Sequence, residues 1–186
     1  MTAIVDLPVV ETPTLLLREV QSRDVGELTA FMTQTRYQRH IAHRMKDDVA
    51  VADFVRRQLA AQSDPRRQVF HLAAEEKLSG EVVGEGFIIA HAGVDHELGW
   101  GVHPAMWSMG LGTEIANALV AIGFERLKAK ALWCKVMTAN GASSTVARRI
   151  GMKLTQHHDD YPIGQGRRGP VDVFRMTAWA YFDQAY

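Results

Sequence analysis

Residues 97–114 read ELGWGVHPAMWSMGLGTE, and this stretch decides the fold. Its opening residues are aromatic and β-branched, as in a strand, and Pro104 favours an extended or turn conformation just before it. Gly110 and Gly112 then begin a long apolar run that ends near Lys128 and predicts a helix. The first N–H groups of a helix lack intrahelical acceptors, and glycine lets an anion approach them closely. Strand, glycine loop and helix together indicate a phosphate-binding loop.

The glycine spacing by itself does not identify the ligand. A dinucleotide-binding fingerprint would place a third glycine where the chain has Ile115, and no Gly-Lys-Ser/Thr follows as it would in a P-loop. Glycine is also common in plain turns between a strand and a helix. The loop alone therefore leaves phosphate binding and a structural turn open.

Length and composition indicate one globular domain over residues 1–186, and the order of the predicted strands and helices puts its core between about residues 14 and 180. Lys+Arg and Asp+Glu both number 21, so a formal net charge of zero gives no basis for a nucleic-acid-binding protein. Cys134, the one cysteine, lies in the apolar run ALWCKV and is expected to be buried. The N-terminus has no basic, apolar leader, and no window approaches the ~20 apolar residues of a membrane span. We therefore expect a cytoplasmic protein that does not enter membranes.

Hydrophobic periodicity and turn signals predict an α/β domain. The predicted strands are 14–20, 69–75, 82–91, 94–102, 131–138, 152–157 and 171–180, and the predicted helices are 24–33, 47–61, 112–128 and 140–150. Short turns at 77–80 and 92–93 predict antiparallel pairing of the second, third and fourth strands. A right-handed crossover through the helix at 112–128 predicts that 131–138 runs parallel to 94–102.

Two segments carry a pair of motifs. Trp107 to Gly112 fits Gln/Arg-x-x-Gly-x-Gly/Ala with tryptophan in first place, and Asn140-x-x-Ser143 is followed by Gly151-Met152. Together with the run Glu97 to Trp100, they resemble the GNAT superfamily of N-acetyltransferases, and more closely its ribosomal-protein N-terminal acetyltransferase (RimJ/RimL-like) branch. The resemblance implies a mixed, mostly antiparallel sheet with a splayed parallel pair, flanked by about four helices.

The resemblance implies acetyl-CoA as acyl donor, with coenzyme A as product. Backbone N–H groups from Met109 to Thr113 would hold the diphosphate, the exposed edge of residues 100–102 would bind the pantetheine arm as an added strand, and Asn140 would bind its amides. The alternative for Asn140 is a turn residue between strand and helix. The implied cofactor-binding residues are Trp100, Gly101, Val102, Trp107, Ser108, Met109, Gly110, Leu111, Gly112, Thr113, Asn140 and Ser143.

Acyl transfer to an amine needs a group that removes the ammonium proton, and Glu97 is the candidate base. Strand alternation places Glu97, Gly99 and Gly101 on one face, which predicts room for a substrate beside the carboxylate. The alternatives are a water chain, a merely solvated Glu97, or His96 as base, although His96 shares its face with bulky apolar residues.

Many members of the superfamily use a tyrosine of the second motif as the acid toward the departing thiolate, and Ala147 stands at that position. Ser143 is the substitute that the resemblance implies, and its alternative role is to cap the helix. The run His157 to Asp160 predicts no metal site, because adjacent side chains on a strand point to opposite faces. The basic segment 34–46 and Arg167-Arg168 are either solvated loops or a grip for an acidic substrate.

The expected reaction is direct acetyl transfer from acetyl-CoA to a primary amine in a ternary complex. The amine is either a protein N-terminal α-amine or a small molecule, and a homodimer is left open. The alternatives are a non-catalytic acyl-CoA-binding sensor and a nucleotide-binding regulatory domain.

Overall fold

One eight-stranded sheet organises the computed structural model, which describes residues 7, 9–91 and 95–183. The strands are β1 (Val10–Glu11), β2 (Leu15–Glu19), β3 (Val69–Glu76), β4 (Val82–Ala90), β5 (Asp95–Val102), β6 (Ala131–Met137), β7 (Lys153–Pro162) and β8 (Arg168–Thr177). Their order across the sheet is β1-β2-β3-β4-β5-β6-β8-β7. Among the described strands β5 and β6 pair in parallel, and every other neighbouring pair is antiparallel. The predicted mixed sheet is confirmed.

Helices cover both faces of the sheet. They are α1 (Val25–Met32), α2 (Thr35–Gln38), α3 (Asp48–Gln62), α4 (Leu111–Ala121), α5 (Gly141–Arg149) and α6 (Ala178–Asp183), and a π-helical segment, Ile122–Arg126, continues α4. Asp47 caps α3, since its Oδ1 accepts the N–H of Ala50 at 2.9 Å. No helix in the described ranges has the length and apolar character needed to cross a bilayer.

The predicted elements appear with shifted ends. The helix predicted from Gly112 begins at Leu111, and β7 continues to Pro162 instead of ending at residue 157 because it forms a long hairpin with β8. β8 has the predicted length but begins three residues earlier than predicted, at Arg168. Residues 178–180, predicted as the end of that strand, instead begin α6. The short strand β1 and the terminal helix α6 were not predicted from the pattern, since two residues and six residues are too short to show a period. The predicted turn at 92–93 lies outside the described residues.

Glycines of β4 identify the face that α4 covers. A Cβ at Gly84 would lie 2.8 Å from Cδ1 of Ile115, and one at Gly86 would lie 2.9 Å from Cδ1 of Leu119, so α4 packs directly on these backbone positions. The larger core lies on this face, and a second apolar cluster around α1 and α3 lies on the other. The alternating residues of β4 and β5 therefore point toward α1 and α3.

Candidate active site

A cavity of about 600 Å³ lies on the sheet face that carries α1 and α3. Glu97 from β5, Asn140 and Ser143 from the start of α5, and the backbone around Trp100 all line it. The structure therefore brings together predicted residues that are 46 positions apart in sequence, from Glu97 to Ser143. A recess of this size, with few polar groups in apolar walls, is typical of a small-molecule site.

The carboxylate of Glu97 is held between two basic side chains. Its Oε1 lies 3.3 Å from Nζ of Lys135 on β6, and its Oε2 lies 3.6 Å from Nε2 of His91. The Glu97 side chain is 13% exposed, so it is reached through the cavity rather than from bulk solvent. The reading of Glu97 as a merely solvated residue is wrong.

The space that the glycines of β5 were expected to leave for a substrate is filled by protein. A Cβ at Gly99 would lie 2.5 Å from the ring of Phe87, and one at Gly101 would clash with the Tyr37 hydroxyl and lie 2.7 Å from the Glu85 carboxylate. The two glycines therefore admit side chains of β4 and α2 against the β5 backbone. Strand alternation correctly predicted that Glu97, Gly99 and Gly101 share one face, but it could not predict that protein side chains fill the space beside the glycines.

His96 lies on the opposite face, as alternation predicts, and is only 7% exposed. It pairs with Ala90 on β4 and with Leu132 on β6, and it is absent from the cavity lining among the described residues. His96 is therefore a core residue, and it is not placed to act as the base.

Strands β5 and β6 separate immediately beyond Glu97. The parallel ladder consists of the pairs Asp95–Ala131, His96–Leu132 and Glu97–Trp133, while β5 remains paired with β4 as far as Val102. Within the described strands, the β6-facing edge of residues 98–102 has no partner strand. Unpaired backbone groups beside a cavity can accept an added extended ligand.

The loop before α4 offers free backbone donors. Ser108 and Gly110 have φ angles of +68° and +87°, the left-handed region that favours glycine. In the part of the chain that the structure describes, the N–H groups of residues 108–112 have no protein acceptor. The N–H of Thr113 donates to the carbonyl oxygen of Gly110 at 2.9 Å, so the prediction that Thr113 offers a free donor is wrong.

Trp107 is held by two contacts. Its indole Nε1–H donates to the carbonyl oxygen of Val102 at 2.8 Å, and the guanidinium of Arg36 lies 4.6 Å from the indole ring centroid. The first contact removes the Val102 carbonyl from the backbone edge that a pantetheine arm could use. The second places a cation from the basic segment 34–46 beside the loop, where an anion would be stabilised.

Asn140 and Ser143 form a closed pair at the start of α5. Oδ1 of Asn140 accepts the backbone N–H of Ser143 at 3.2 Å, and Nδ2 of Asn140 donates to Oγ of Ser143 at 3.0 Å. Asn140 is therefore the N-cap in the turn between β6 and α5, as its alternative role predicted, and Ser143 does not have its alternative role as the cap. Because Oγ of Ser143 accepts from Asn140, its own proton is free to point into the cavity.

Cys134 and Ala147 behave as structural residues. Cys134 is 1% exposed, as expected for a cysteine in an apolar strand. Ala147, which stands where many family members have a tyrosine, is fully buried. Burial, with a smaller contribution from the nearby carboxylate of Glu97, raises the pKa of the Cys134 thiol to about 12. A thiol with that pKa is a poor nucleophile at neutral pH.

Arg167 and Arg168 have structural partners rather than forming a grip for a substrate. Nη2 of Arg167 donates to the carbonyl oxygens of Ile41 at 2.8 Å and Ala42 at 3.1 Å, whereas Arg168 pairs with the carboxylate of Asp160 at 2.8 Å. The hairpin between β7 and β8 is thereby fastened to the segment before α3.

The run His157 to Asp160 makes ion pairs. Nδ1 of His157 lies 2.6 Å from Asp172, and its Nε2 lies 3.2 Å from Asp159. The hydrogen bonds to Asp172 and then Asp159 raise the pKa of His157. No group of three metal-ligating side chains occurs among the described residues.

These features fit a coenzyme A thioester. Free N–H groups with a neighbouring cation suit a diphosphate, the unpaired β5 edge suits the amides of a pantetheine arm, and the cavity at the far end of that edge suits an acceptor. Fold and site together are those expected of an acyltransferase that uses an acyl-CoA thioester.

Comparisons with known proteins identify the family. The profile of the acetyltransferase (GNAT) domain family matches residues 14–153, which is most of the chain. The chain therefore belongs to the GNAT acetyltransferase family, whose members use acetyl-CoA as co-substrate, and it is an acetyltransferase enzyme.

Three similar proteins support this placement. The uncharacterized N-acetyltransferase YoaA of Bacillus subtilis (strain 168) is 24% identical over 172 residues, which cover 91% of this chain and 97% of that protein. A GNAT-family acetyltransferase from Bacillus anthracis superposes with a TM-score of 0.81 at 16% identity, covering 92% and 99% of the two chains. A ribosomal L7/L12 α-N-protein acetyltransferase in complex with coenzyme A gives 0.78 at 17% identity, covering 93% and 98%. At such identities the structures share the fold.

Proposed function

We propose that this protein transfers an acetyl group directly from acetyl-CoA to a primary amine within a ternary complex. The observation that carries the proposal is that Glu97 and Ser143 line one cavity, into which the unpaired edge of β5 opens. A base and an acid on opposite sides of a thioester are what amide formation requires.

The chain's own backbone would hold the donor. The N–H groups of residues 108–112 would bind the diphosphate, assisted by Arg36 beside Trp107. The unpaired β5 edge, from residue 98 to the N–H side of residue 102, would hydrogen-bond the pantetheine arm. Acetyl-CoA supplies an activated thioester at the end of that arm.

Glu97 would take the proton of the ammonium group, so that the nitrogen lone pair can attack the thioester carbonyl. Lys135 and His91 hold the carboxylate at the rim of the cavity without covering it. Backbone N–H groups of the unpaired β5 edge are the nearest donors to a developing oxyanion.

Ser143 would stabilise the departing thiolate. Its Oγ is held by Asn140, and its hydroxyl proton is left to donate toward sulfur. Asn140 would position Ser143, and its second N–H and second lone pair would remain to bind an amide of the pantetheine arm.

The acceptor could be a protein α-amine, as the motif resemblance to the ribosomal branch suggests, or a small molecule. The non-catalytic sensor finds no support, because the matched family is one of acetyltransferases. A single buried cysteine suits a cytoplasmic location, which we propose for this enzyme.

Thiol release from acetyl-CoA in the presence of an amine panel tests the proposal. We expect amine-dependent release of coenzyme A together with the acetylated amine, detected by mass. Binding of coenzyme A without turnover toward any amine would contradict catalysis, and no binding of coenzyme A would contradict the site as well.

A further inference from the structure

The cavity contains a buried polar cluster remote from Glu97, which we name the Tyr37–Glu85–His71 cluster. Oε1 of Glu85 accepts from the Tyr37 hydroxyl at 2.7 Å, and Oε2 of Glu85 lies 2.7 Å from Nε2 of His71. Glu85 is 5% exposed and the His71 side chain 8%, and both line the cavity. Nothing in the proposed acetyl transfer uses them.

The cluster fixes which atom of His71 faces a ligand. Nε2 is the ring nitrogen that lies against the Glu85 carboxylate, although the pair lacks the geometry of a hydrogen bond, and Nδ1 is left as the ring atom available to a ligand. Burial, followed by the charge and the hydrogen bond of Glu85, raises the pKa of Tyr37 well above its ordinary value, which keeps its hydroxyl a donor. Oε1 of Glu85 therefore accepts a hydrogen bond from Tyr37, whereas Oε2 has only the ion-pair contact with His71.

Aromatic rings hold the imidazole in place. The Phe54 ring meets His71 edge-on at 4.7 Å between centroids, and the Phe87 ring stacks on it at 6.0 Å. His71, Phe87 and Gly99 are register partners on three consecutive strands, so the backbones of His71 and Gly99 are about 10 Å apart. A thioester bound along the β6-facing edge of β5 would lie at least that far from the His71 backbone, which places His71 toward the distal end of an acceptor.

The cavity walls between Glu97 at one end and His71 at the other are mostly apolar. They are contributed by Met32, Met45, Phe54, Val69, Phe87 and Ile89. A polyamine would leave its interior ammonium groups without partners along such walls, and burying an unpaired charge is costly. An acceptor with an apolar body would bury its surface there instead.

The β7–β8 hairpin and the segment before α3 are joined along one side of the cavity. Arg167 donates to the carbonyls of Ile41 and Ala42, and Nε2 of Gln165 donates to the carbonyl of Arg44 at 3.2 Å. Gly164 approaches Ala42 so closely that a Cβ would lie 2.5 Å from its carbonyl oxygen. These segments therefore form a wall of the cavity, and a wall on this side favours a small molecule over a polypeptide that continues beyond its N-terminal residue.

We propose that the acceptor is a small primary amine with an apolar, ring-sized body and a hydroxyl at its far end, and that Nδ1 of His71 binds this hydroxyl. The inference rests on the proposed acetyl transfer and adds the class of acceptor. A hydroxyl suits the position because it both donates and accepts. The cavity volume of about 600 Å³ falls among those of small-molecule sites.

Four amines test the acceptor class on the unmodified enzyme: tyramine, 2-phenylethylamine, spermidine and a synthetic hexapeptide with a free N-terminal serine. Tyramine and 2-phenylethylamine differ by the hydroxyl alone. We expect kcat/KM for tyramine to exceed that for 2-phenylethylamine about 10-fold or more, since a site built for a hydroxyl rejects the analogue that lacks it. We expect spermidine and the peptide to be slower than both.

His71→Asn then separates binding from folding. We expect the tyramine preference to fall to about 2-fold, because KM for tyramine rises by a larger factor than KM for 2-phenylethylamine. A merely structural role of His71 would lower both amines equally and would overturn its assignment. Glu85→Gln, which keeps a hydrogen-bonding side chain in place, is expected to reduce the preference part of the way.

The remaining outcomes each contradict either the acceptor class or the proposed acetyl transfer. Equal kcat/KM for tyramine and 2-phenylethylamine, or faster acetylation of spermidine or the peptide, overturns the acceptor class and leaves acetyl transfer intact. Coenzyme A binding without turnover of any of the four amines also counts against this acceptor. Failure to bind coenzyme A, measured by calorimetry, would instead defeat the proposed function.

Discussion

Nζ of Lys135 lies 3.3 Å from Oε1 of Glu97, across the parallel contact between β5 and β6. This ion pair holds the carboxylate at the point where the strands part, rather than leaving it to swing freely in the cavity. It also places a fixed cation beside the expected position of the amine. Like charges repel, so Lys135 disfavours the ammonium form of the acceptor and favours transfer of its proton to Glu97 before attack.

Replacing Glu97 by Gln removes the candidate base and keeps the size of the side chain. We expect kcat to fall by about 10²–10⁴-fold, the usual contribution of a general base, with KM for acetyl-CoA nearly unchanged. Steady-state kinetics of thiol release measures this. The control is Glu81→Gln, which makes the same chemical change at an exposed position and should retain full activity. An active E97Q enzyme would rule out Glu97 as the base.

Replacing Ser143 by Ala should reduce kcat about 10–100-fold while the melting temperature stays within a few degrees. The helix keeps its cap in this variant, because Asn140 accepts from the backbone of Ser143 rather than from its side chain. Ser144→Ala, one residue further along α5, is the matched control. A large loss of stability in S143A without loss of kcat would show that the hydroxyl is structural.

Replacing Gly110 by Ala should weaken both folding and coenzyme A binding. A Cβ there meets nothing within 4 Å, so the cost comes from the φ of +87° and amounts to about 1–2 kcal/mol of unfolding free energy. Chemical denaturation and calorimetric titration with coenzyme A measure the two effects. Gly26→Ala in α1 is the control, since its Cβ also meets nothing and its φ is ordinary, and it should be neutral or stabilising. Unchanged coenzyme A affinity in G110A would count against the loop as the diphosphate site.

Cys134 should not react with iodoacetamide in the native protein at pH 8. A thiol whose pKa is raised to about 12 ionises only at much higher pH, and on the order of one molecule in 10⁴ is thiolate at pH 8. Mass spectrometry should show rapid alkylation only after unfolding in guanidinium. Cys134→Ala should retain turnover, because direct transfer needs no acyl-cysteine. A hundredfold loss would instead indicate a covalent intermediate.

Replacing Arg167 by Ala should raise KM for the amine several-fold with little change in KM for acetyl-CoA. The guanidinium joins the β7–β8 hairpin to the carbonyls of Ile41 and Ala42, and charge-assisted hydrogen bonds of this kind contribute about 1.5–3 kcal/mol each. Arg168→Ala is the control, since Arg168 pairs with exposed Asp160 on its own hairpin. Equal effects of the two variants would show that the contact does not shape the acceptor cavity.

Local sequence order accounts for what could be predicted. A strand, a glycine loop, a helix and a second strand follow one another within residues 95–137. A crossover connection through the helix makes the two strands parallel, and the loop places Gly110 directly before α4. The alternation of β5 likewise separates Glu97 from His96. These inferences depend on neighbours in the chain and hold in the structure.

What could not be predicted depends on contacts between strands. Tyr37 and Glu85 meet although 48 positions separate them, and Phe87 fills the space at Gly99 only because β4 and β5 pair in that register. A single residue of shift would have sent Phe87 to the other face. The prediction that the N–H of Thr113 is free for a diphosphate also failed, because this N–H donates to the carbonyl oxygen of Gly110 in a tightened first turn of α4.

The parting of β5 and β6 after three residue pairs also bears on the sequence of events in a catalytic cycle. On the proposed function, the donor's arm would occupy the gap and become one side of the compartment that receives the amine. An amine arriving first would meet an open, water-filled cleft with a side missing. The enzyme would thus bind its substrates in a compulsory order, donor before acceptor, and a short ladder in a β-sheet would be the reason.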